Sequence, residues 1–348
     1  MSNNVASLLR DAPFPVTASA AVRMARAADI DALYALSVAG GSGLTSLPAD
    51  RDVLASKLDS SERAVTCAEV REAGAAILLV VELDGRVVGT SCIFPRVGAQ
   101  WPFYSYRLMR QAARSQAIGR TQAQTLLSLV NDFDGEAEVG GLLIDPSARG
   151  HALGALAARA RYLFMAAHRE MFGGRVIAEL RGWQDQQGRS PVWDAVGRHF
   201  YGMEFTDADR IGAISGNQFI ADLGPRYPLY ISLLPEPARA ALGRPHDDGR
   251  LAYEMLLSEG FRAGDYVDIF DGGPTLVADI DAVRTVRECR QSEVTQIAEN
   301  GIPSIVAAGR GPDFRVARGN VGRGGTTTPA VADELRVGRG DLIHHVRI

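Results

Sequence analysis

Between Leu142 and Met165 the sequence reads LLIDPSARGHALGALAARARYLFM: an apolar run, an Asp145-Pro146 stop, a loop with Arg149, Gly150, Ala152 and Gly154, then an apolar helical pattern. A strand that turns through small residues into a helix exposes backbone N–H groups at the positive end of the helix dipole, which favours a pyrophosphate. The same residues would equally serve a plain strand-to-helix turn. In YVDIFDGGPTL, Asp268 and Asp271 stand at a strand end before Gly272, Gly273 and Pro274, and carboxylates there suit bidentate recognition of a guanidinium. Asn131-Asp132 and Glu179-Leu180-Arg181 are similar polar candidates, with Arg181 also readable as one half of a structural ion pair. His246 lies in LGRPHDDGR beside two aspartates, and a histidine titrates near neutral pH, as proton transfer requires. His151, His168, His199 and the pair His344-His345 share no metal-ligand spacing with cysteines or carboxylates, so no metal is expected. A Gly-x-Ser-x-Gly elbow and a Walker loop are both missing.

These residues need a scaffold. VRMARAADIDALYALSV predicts a short strand followed by a helix in which Ile30, Leu33 and Leu36, with Tyr34, repeat at helical spacing; a second helix is expected over PADRDVLASKLDSSE. AAILLVVELDGRVVGTSCIFPRV is two β-rich runs around Asp84-Gly85, a hairpin. From Tyr104 to Leu129 the pattern is polar-helical or irregular, rich in Arg and Gln. GRVIAELRG then reads as a strand, and SPVWDAVGRHFYGMEF as a helix with Pro191 in its first turn. The fold class is α/β, mixed: one sheet with helices on its faces over residues 22–205, a second α/β unit over 206–298, and a small β-rich C-terminal segment over 299–348, where Gly-Arg loops join short pieces. Residues 1–21 read as a flexible extension, since Arg10, Asp11, Pro13 and Pro15 interrupt any apolar core of a leader.

Composition narrows the function classes. At 348 residues and 46% apolar content the chain can bury the cores of two domains. Its 37 basic against 41 acidic residues, net charge -4, give no drive toward nucleic acid or an anionic membrane. Cys67, Cys92 and Cys289 are odd in number and far apart, which fits neither a disulfide framework nor a zinc site and suggests a reducing cytoplasm. No run approaches the roughly 20 apolar residues of a membrane span.

The loop resembles the acyl-CoA loop of the GNAT superfamily of N-acyltransferases, Arg/Gln-x-x-Gly-x-Gly/Ala: Arg149 and Gly154 match, and Ala152 replaces the first glycine. The stretches GSGLTSLPAD, PFYSYR, ND-x-DG-x-x-E, LFMAAHRE, VIAELRG, GRSPVWDAVGRHFYGMEF, LLSEGF and YVDIFDGGPTL resemble, in order over residues 22–285, the bacterial arginine N-succinyltransferase family, with a weaker match in the tail. The resemblance implies a GNAT-like acyl-CoA N-acyltransferase fold and succinyl transfer from succinyl-CoA to the α-amino group of L-arginine, by direct attack of the amine on the thioester. It also implies a homo- or hetero-oligomer with two small-molecule substrates. The family's succinyl-CoA position falls on Leu142, whose backbone would meet the pantetheine arm, and Arg149, Gly150 and Gly154 would hold the phosphates. The proton-donor histidine falls on His246, with Pro245 where valine is usual and Asp247 in place of a proline. Arg181 would meet the succinyl carboxylate, and Asp268, Asp271 and Asn131 would meet the arginine. Another acyl-CoA, a basic amino acid such as ornithine, or a non-catalytic subunit of a hetero-oligomer are the alternatives. If the Ala152 Cβ does not fit the conformation that glycine takes, CoA binding should be weak.

Overall fold

The computed structural model describes residues 19–40, 47–149 and 151–348; nearly all of the expected N-terminal extension, the start of GSGLTSLPAD and Gly150 lie outside them. The chain forms two compact units, each built from separate segments: one from the residues up to Arg96 with Ala137–Arg175 and Asp279–Ile348, the other from Val97–Glu136 and Val176–Ala278. This partition departs from the chain-order one, because strand pairing unites segments that are distant in sequence.

In unit 1 the strands run in the order Arg290–Glu293, Leu342–Arg347, Ile302–Ala308, Arg315–Val321, Ala20–Met24, Ile77–Leu83, Arg86–Phe94 and Ala137–Ile144. The hairpin forms where the sequence places it: Asp84 and Gly85 both have positive φ, 50° and 74°, as its two-residue turn requires. The C-terminal strands do not stand apart, since Arg315–Val321 pairs antiparallel with Ala20–Met24. Charge reinforces that junction: Arg23 bonds Asp29 at 2.7 Å and Glu82 at 2.8 Å, and Arg315 reaches Glu82 and Glu334. One face is covered by the helices Ile30–Gly40 and Arg51–Ala64, whose Leu33, Leu36, Leu54 and Leu58 pack on Leu78, Val80 and Cys92. The helix Leu153–Ala167 is buried along Leu156, Ala157, Ala160, Leu163 and Phe164. Buried His168 ties its end to the C-terminal segment, with Nδ1 3.0 Å from the Phe164 carbonyl and Nε2 accepting from the Gly311 N–H.

Unit 2 orders its strands Arg175–Glu179, Pro274–Asp279, Arg262–Val267, Ser105–Ser115, Arg120–Val130 and Leu229–Tyr230. Here the polar-helical expectation for Tyr104 to Leu129 is corrected. Those residues form two eleven-residue strands paired from Ser105↔Val130 to Ser115↔Arg120. Arg, Gln and Ala favour helices weakly, and complete cross-strand pairing overrides that preference. The outer half of this hairpin is exposed on both faces, so no alternation of apolar residues marks it. The core gathers Tyr106, Leu127, Val267 and Ile269 around Trp193, which stacks on Tyr201 and Phe270.

Candidate active-site residues

In unit 1 the strand Ala137–Ile144 carries a bulge. Thr90 faces Leu143 and Cys92 faces Gly140, so Gly141 and Leu142 together oppose the single Ser91, and Gly141 takes φ 56°. A bulge breaks the ladder and re-aims backbone groups, and it falls on Leu142. The strand ends at Asp145, whose carboxylate accepts from the Ser147 N–H and hydroxyl. Arg149 follows, exposed. Ala152 caps the fifteen-residue helix with φ 48° and ψ 26°, the left-handed conformation a glycine favours. Arg318, from the C-terminal strand, donates to the Ala152 carbonyl at 2.8 Å and so fixes the peptide. A Cβ at Gly154 would meet nothing within 4 Å, which leaves open space at the helix's first turn.

Ala152 therefore fits the conformation, against a penalty of about 1 kcal/mol. Because Arg318 holds the peptide, this strain belongs to the folded loop. Ala152→Gly is expected to stabilise the protein by about 0.5 kcal/mol, after glycine's larger unfolded-state freedom is subtracted. Thermal unfolding should show a slightly raised Tm and calorimetry a CoA affinity within about twofold of wild type. Tighter CoA binding with no change in Tm would mean instead that the left-handed conformation forms only on binding.

On the same strand Glu138 is half-buried, and desolvation pushes its carboxyl up to about 7 from 4.5. In the folded protein it keeps its proton through the mildly acidic range, while in the unfolded chain it ionises from about 4.5. Stability therefore falls as pH rises from 4.5 through 7. Glu138→Gln removes that loss. Its Tm should exceed wild type at pH 8 and match it at pH 4, with a gain of about 3 kcal/mol at most. Parallel pH profiles for the two proteins would rule Glu138 out as the source.

In unit 2 three stretches meet at Gly182. The Gly182↔Pro245 bridge is flanked by two hydrogen bonds, Trp183 N–H to the Arg244 carbonyl at 3.0 Å and His246 N–H to the Arg181 carbonyl at 2.8 Å. That pairing asks no N–H of residue 245, which is why proline is tolerated there. Asp247, where a proline was expected, is exposed and pairs with Arg244. Against the other side of Leu180–Gly182 lies the Asp268–Pro274 turn: a Cβ on Gly182 would fall 2.5 Å from the Asp271 carbonyl oxygen, and one on Gly273 would fall 2.0 Å from that of Leu180. His246 caps the short helix Asp247–Gly249, with Nδ1 accepting from the Asp248 N–H at 3.2 Å. In that tautomer Nε2 carries the proton, and it is the nitrogen left for chemistry.

Asp268 and Asp271 shape the turn themselves. Asp268 Oδ1 accepts from the Phe270 and Asp271 N–H groups at 2.7 and 2.8 Å, and Asp271 Oδ1 from the Gly273 N–H at 2.9 Å. Burial raises the pKa of both; Asp271 further discourages ionisation of Asp268, whereas the hydrogen bond with Asp268 favours the ionised form of Asp271. Asp209, on the helix Phe205–Ser215, is raised by burial and by Asp271. Arg181, the cation within electrostatic reach of Asp209 and Asp271, donates to Gln184 at 2.6 Å. Asn131 is engaged elsewhere, donating to Asp134 in the turn after Val130. Among the described residues no three His, Cys, Asp or Glu side chains gather as a metal site, and no helix is long and apolar enough to cross a membrane.

Sequence reasoning missed Arg161, Glu138, Asp209 and Arg318. Arg161 had a signal, a charge inside an apolar helical face; Arg318 had none, since its role depends on a strand pairing that local sequence does not encode.

A bulged strand feeding a loop at the start of a long helix, within a mixed α/β fold, is the layout expected of an acyl-CoA N-acyltransferase fold. Residues 20–285 match the family described as arginine N-succinyltransferase beta subunit, and residues 283–347 match its C-terminal domain. The chain is 41% identical over 268 residues to arginine N-succinyltransferase subunit beta of Pseudomonas aeruginosa, covering 77% of this chain and 78% of that one. It is 36% identical over 343 residues to arginine N-succinyltransferase of Yersinia pestis, covering 94% and 97%. The solved structure of arginine/ornithine succinyltransferase subunit AI from Pseudomonas aeruginosa superimposes with a TM-score of 0.85 at 30% identity, covering 94% of this chain and 98% of that one. The chain belongs to the arginine N-succinyltransferase family.

Proposed function

We propose that this chain transfers the succinyl group of succinyl-CoA to the α-amino group of L-arginine. What carries the reading is membership of a family whose members at 36–41% identity are named arginine N-succinyltransferases. In this reading the bulge at Leu142 receives the pantetheine arm of the CoA ester, and Arg149 with the amides up to Gly154 receives the phosphates. His246 is the proton donor, and the acidic group Asp209, Asp268 and Asp271 is complementary to a substrate guanidinium. The neutral amine attacks the thioester carbonyl and the C–N bond forms; as the tetrahedral intermediate collapses the C–S bond breaks, His246 Nε2 gives the departing thiolate its proton, and the proton shed by the attacking nitrogen restores the imidazole, so that the net transfer runs from amine to thiol. No acyl-enzyme forms and no metal takes part.

A thiol-release assay on the purified chain tests this. Release is expected with succinyl-CoA plus arginine and not with acetyl-CoA; preference for another acyl donor would overturn it. The structural relative's name joins arginine with ornithine, which favours ornithine as a second acceptor to include. Two relatives are named as subunits, so this chain is proposed to assemble into a homo- or hetero-oligomer. Turnover by the chain alone separates a catalytic subunit from one that needs a partner.

A further inference from the structure

Three arginines are buried in unit 1 among the described residues: Arg23, Arg161 and Arg315. Arg23 is neutralised by Asp29 and Glu82, and Arg315 by Glu82 and Glu334. Arg161 differs. It is 5% exposed, two turns into the helix Leu153–Ala167, and among the described residues no carboxylate pairs with it. Its hydrogen bonds are long, 3.4 Å from Nε to the Ala158 carbonyl and 3.4 Å from Nη1 to the Gly140 carbonyl. A guanidinium taken out of water without a counter-charge is strongly unfavourable, and burial lowers the pKa of this one.

The place where this charge is kept is informative. Gly140 immediately precedes the bulge at Gly141 and Leu142. Ser91, the residue opposite the bulge, has a fully buried hydroxyl with no hydrogen-bond partner. Lys57, the sole lysine of the sequence, adds a second positive charge within electrostatic reach of Cys92, which pairs with Gly140. An uncompensated guanidinium and an orphaned hydroxyl beside the same bulge are the complement of an anionic acceptor group.

We propose that Arg161 receives the free carboxylate of the acyl group and thereby selects a dicarboxylic acyl donor over a monocarboxylic one. This rests on the succinyl-CoA reading above and names the residue that makes the choice. A planar guanidinium binds a carboxylate through two parallel hydrogen bonds, which an uncharged acyl end cannot return. Arg181, the earlier candidate for this contact, has Asp209 and Asp271 as neighbours and lacks the unmet charge.

The test compares succinyl-CoA with butyryl-CoA, the same four-carbon chain without its terminal carboxylate, by kcat/KM with arginine and by calorimetric Kd. Arg161→Met is expected to lower kcat/KM for succinyl-CoA about 100-fold while the Kd of CoA and of butyryl-CoA stays within about threefold, so that the preference collapses. Arg161→Lys should keep part of the preference, and it carries the test if the methionine variant does not fold; preference at the wild-type level in that variant would then overturn the proposal. An intact preference in Arg161→Met, or equal losses with both donors and with CoA, also overturns it. A wild type with no preference for succinyl-CoA overturns the succinyl reading and this proposal together; a wild type that prefers it and variants that keep the preference overturn the role of Arg161 alone.

Discussion

His246→Ala is expected to lower kcat by about 10²- to 10⁴-fold, the range general acid catalysis contributes, while the Kd for arginine changes little. The structure gives this separation a basis. His246 is held by its backbone, N–H to the Arg181 carbonyl, so alanine keeps the chain path. What alanine loses is the Nδ1 acceptor that caps the Asp248 N–H, about 1 kcal/mol of stability, and the Nε2 proton. His246→Asn separates the two, since its amide oxygen can cap the same N–H and cannot transfer a proton at neutral pH. Asparagine should recover the Tm and not the turnover. Turnover near wild type in either variant would remove His246 from the mechanism.

Gly182→Ala is expected to cut kcat/KM by at least about 100-fold and to destabilise the protein by about 2–3 kcal/mol, as overpacking of a tight site does. The new Cβ would lie 2.5 Å from the Asp271 carbonyl oxygen, 2.6 Å from its carboxylate and 2.7 Å from the Gly273 nitrogen, and these are mainly backbone atoms that cannot swing aside. To relieve the overlap, the Leu180–Gly182 segment or the Asp268–Pro274 turn must move. The first carries His246 through the Arg181 carbonyl, and the second carries Asp268 and Asp271. Circular dichroism melts with steady-state kinetics would show both losses. Wild-type values for Gly182→Ala would mean that the placement of His246 does not depend on this contact.

Both variants probe a constellation that the sequence shows only in fragments. ELRG, GRPH and DGGP are each visible as short polar or glycine-bearing stretches, yet 64 residues separate Gly182 from His246. Only the backbone pairing in unit 2 reveals why two glycines stand there. By sequence the carboxylates of DIFDGGP suit a substrate guanidinium. The structure shows one oxygen of each already accepting from the turn's own amides, a use of Asp at strand ends that local sequence does not distinguish from ligand binding.

By itself the sequence determined what short-range chemistry determines: the Asp84-Gly85 hairpin, where both positive-φ residues are written into the turn; the strand, Asp-Pro stop and helix around Arg149; and the family, through eight ordered stretches. The tertiary structure decided the rest. Tyr104 to Leu129 became a hairpin because its own two halves pair from Ser105↔Val130 to Ser115↔Arg120, with Tyr106 and Arg107 also meeting the distant strand Arg262–Val267. The C-terminal tail entered the sheet of unit 1 because Arg315–Val321 pairs with Ala20–Met24, nearly 300 residues away in sequence. Ala152 is tolerated because Arg318 arrives from that tail, and Arg161 stands out only once burial shows which arginines have a counter-charge. Periodicity and turn residues act over a few positions, whereas desolvation and strand pairing depend on which distant segments meet.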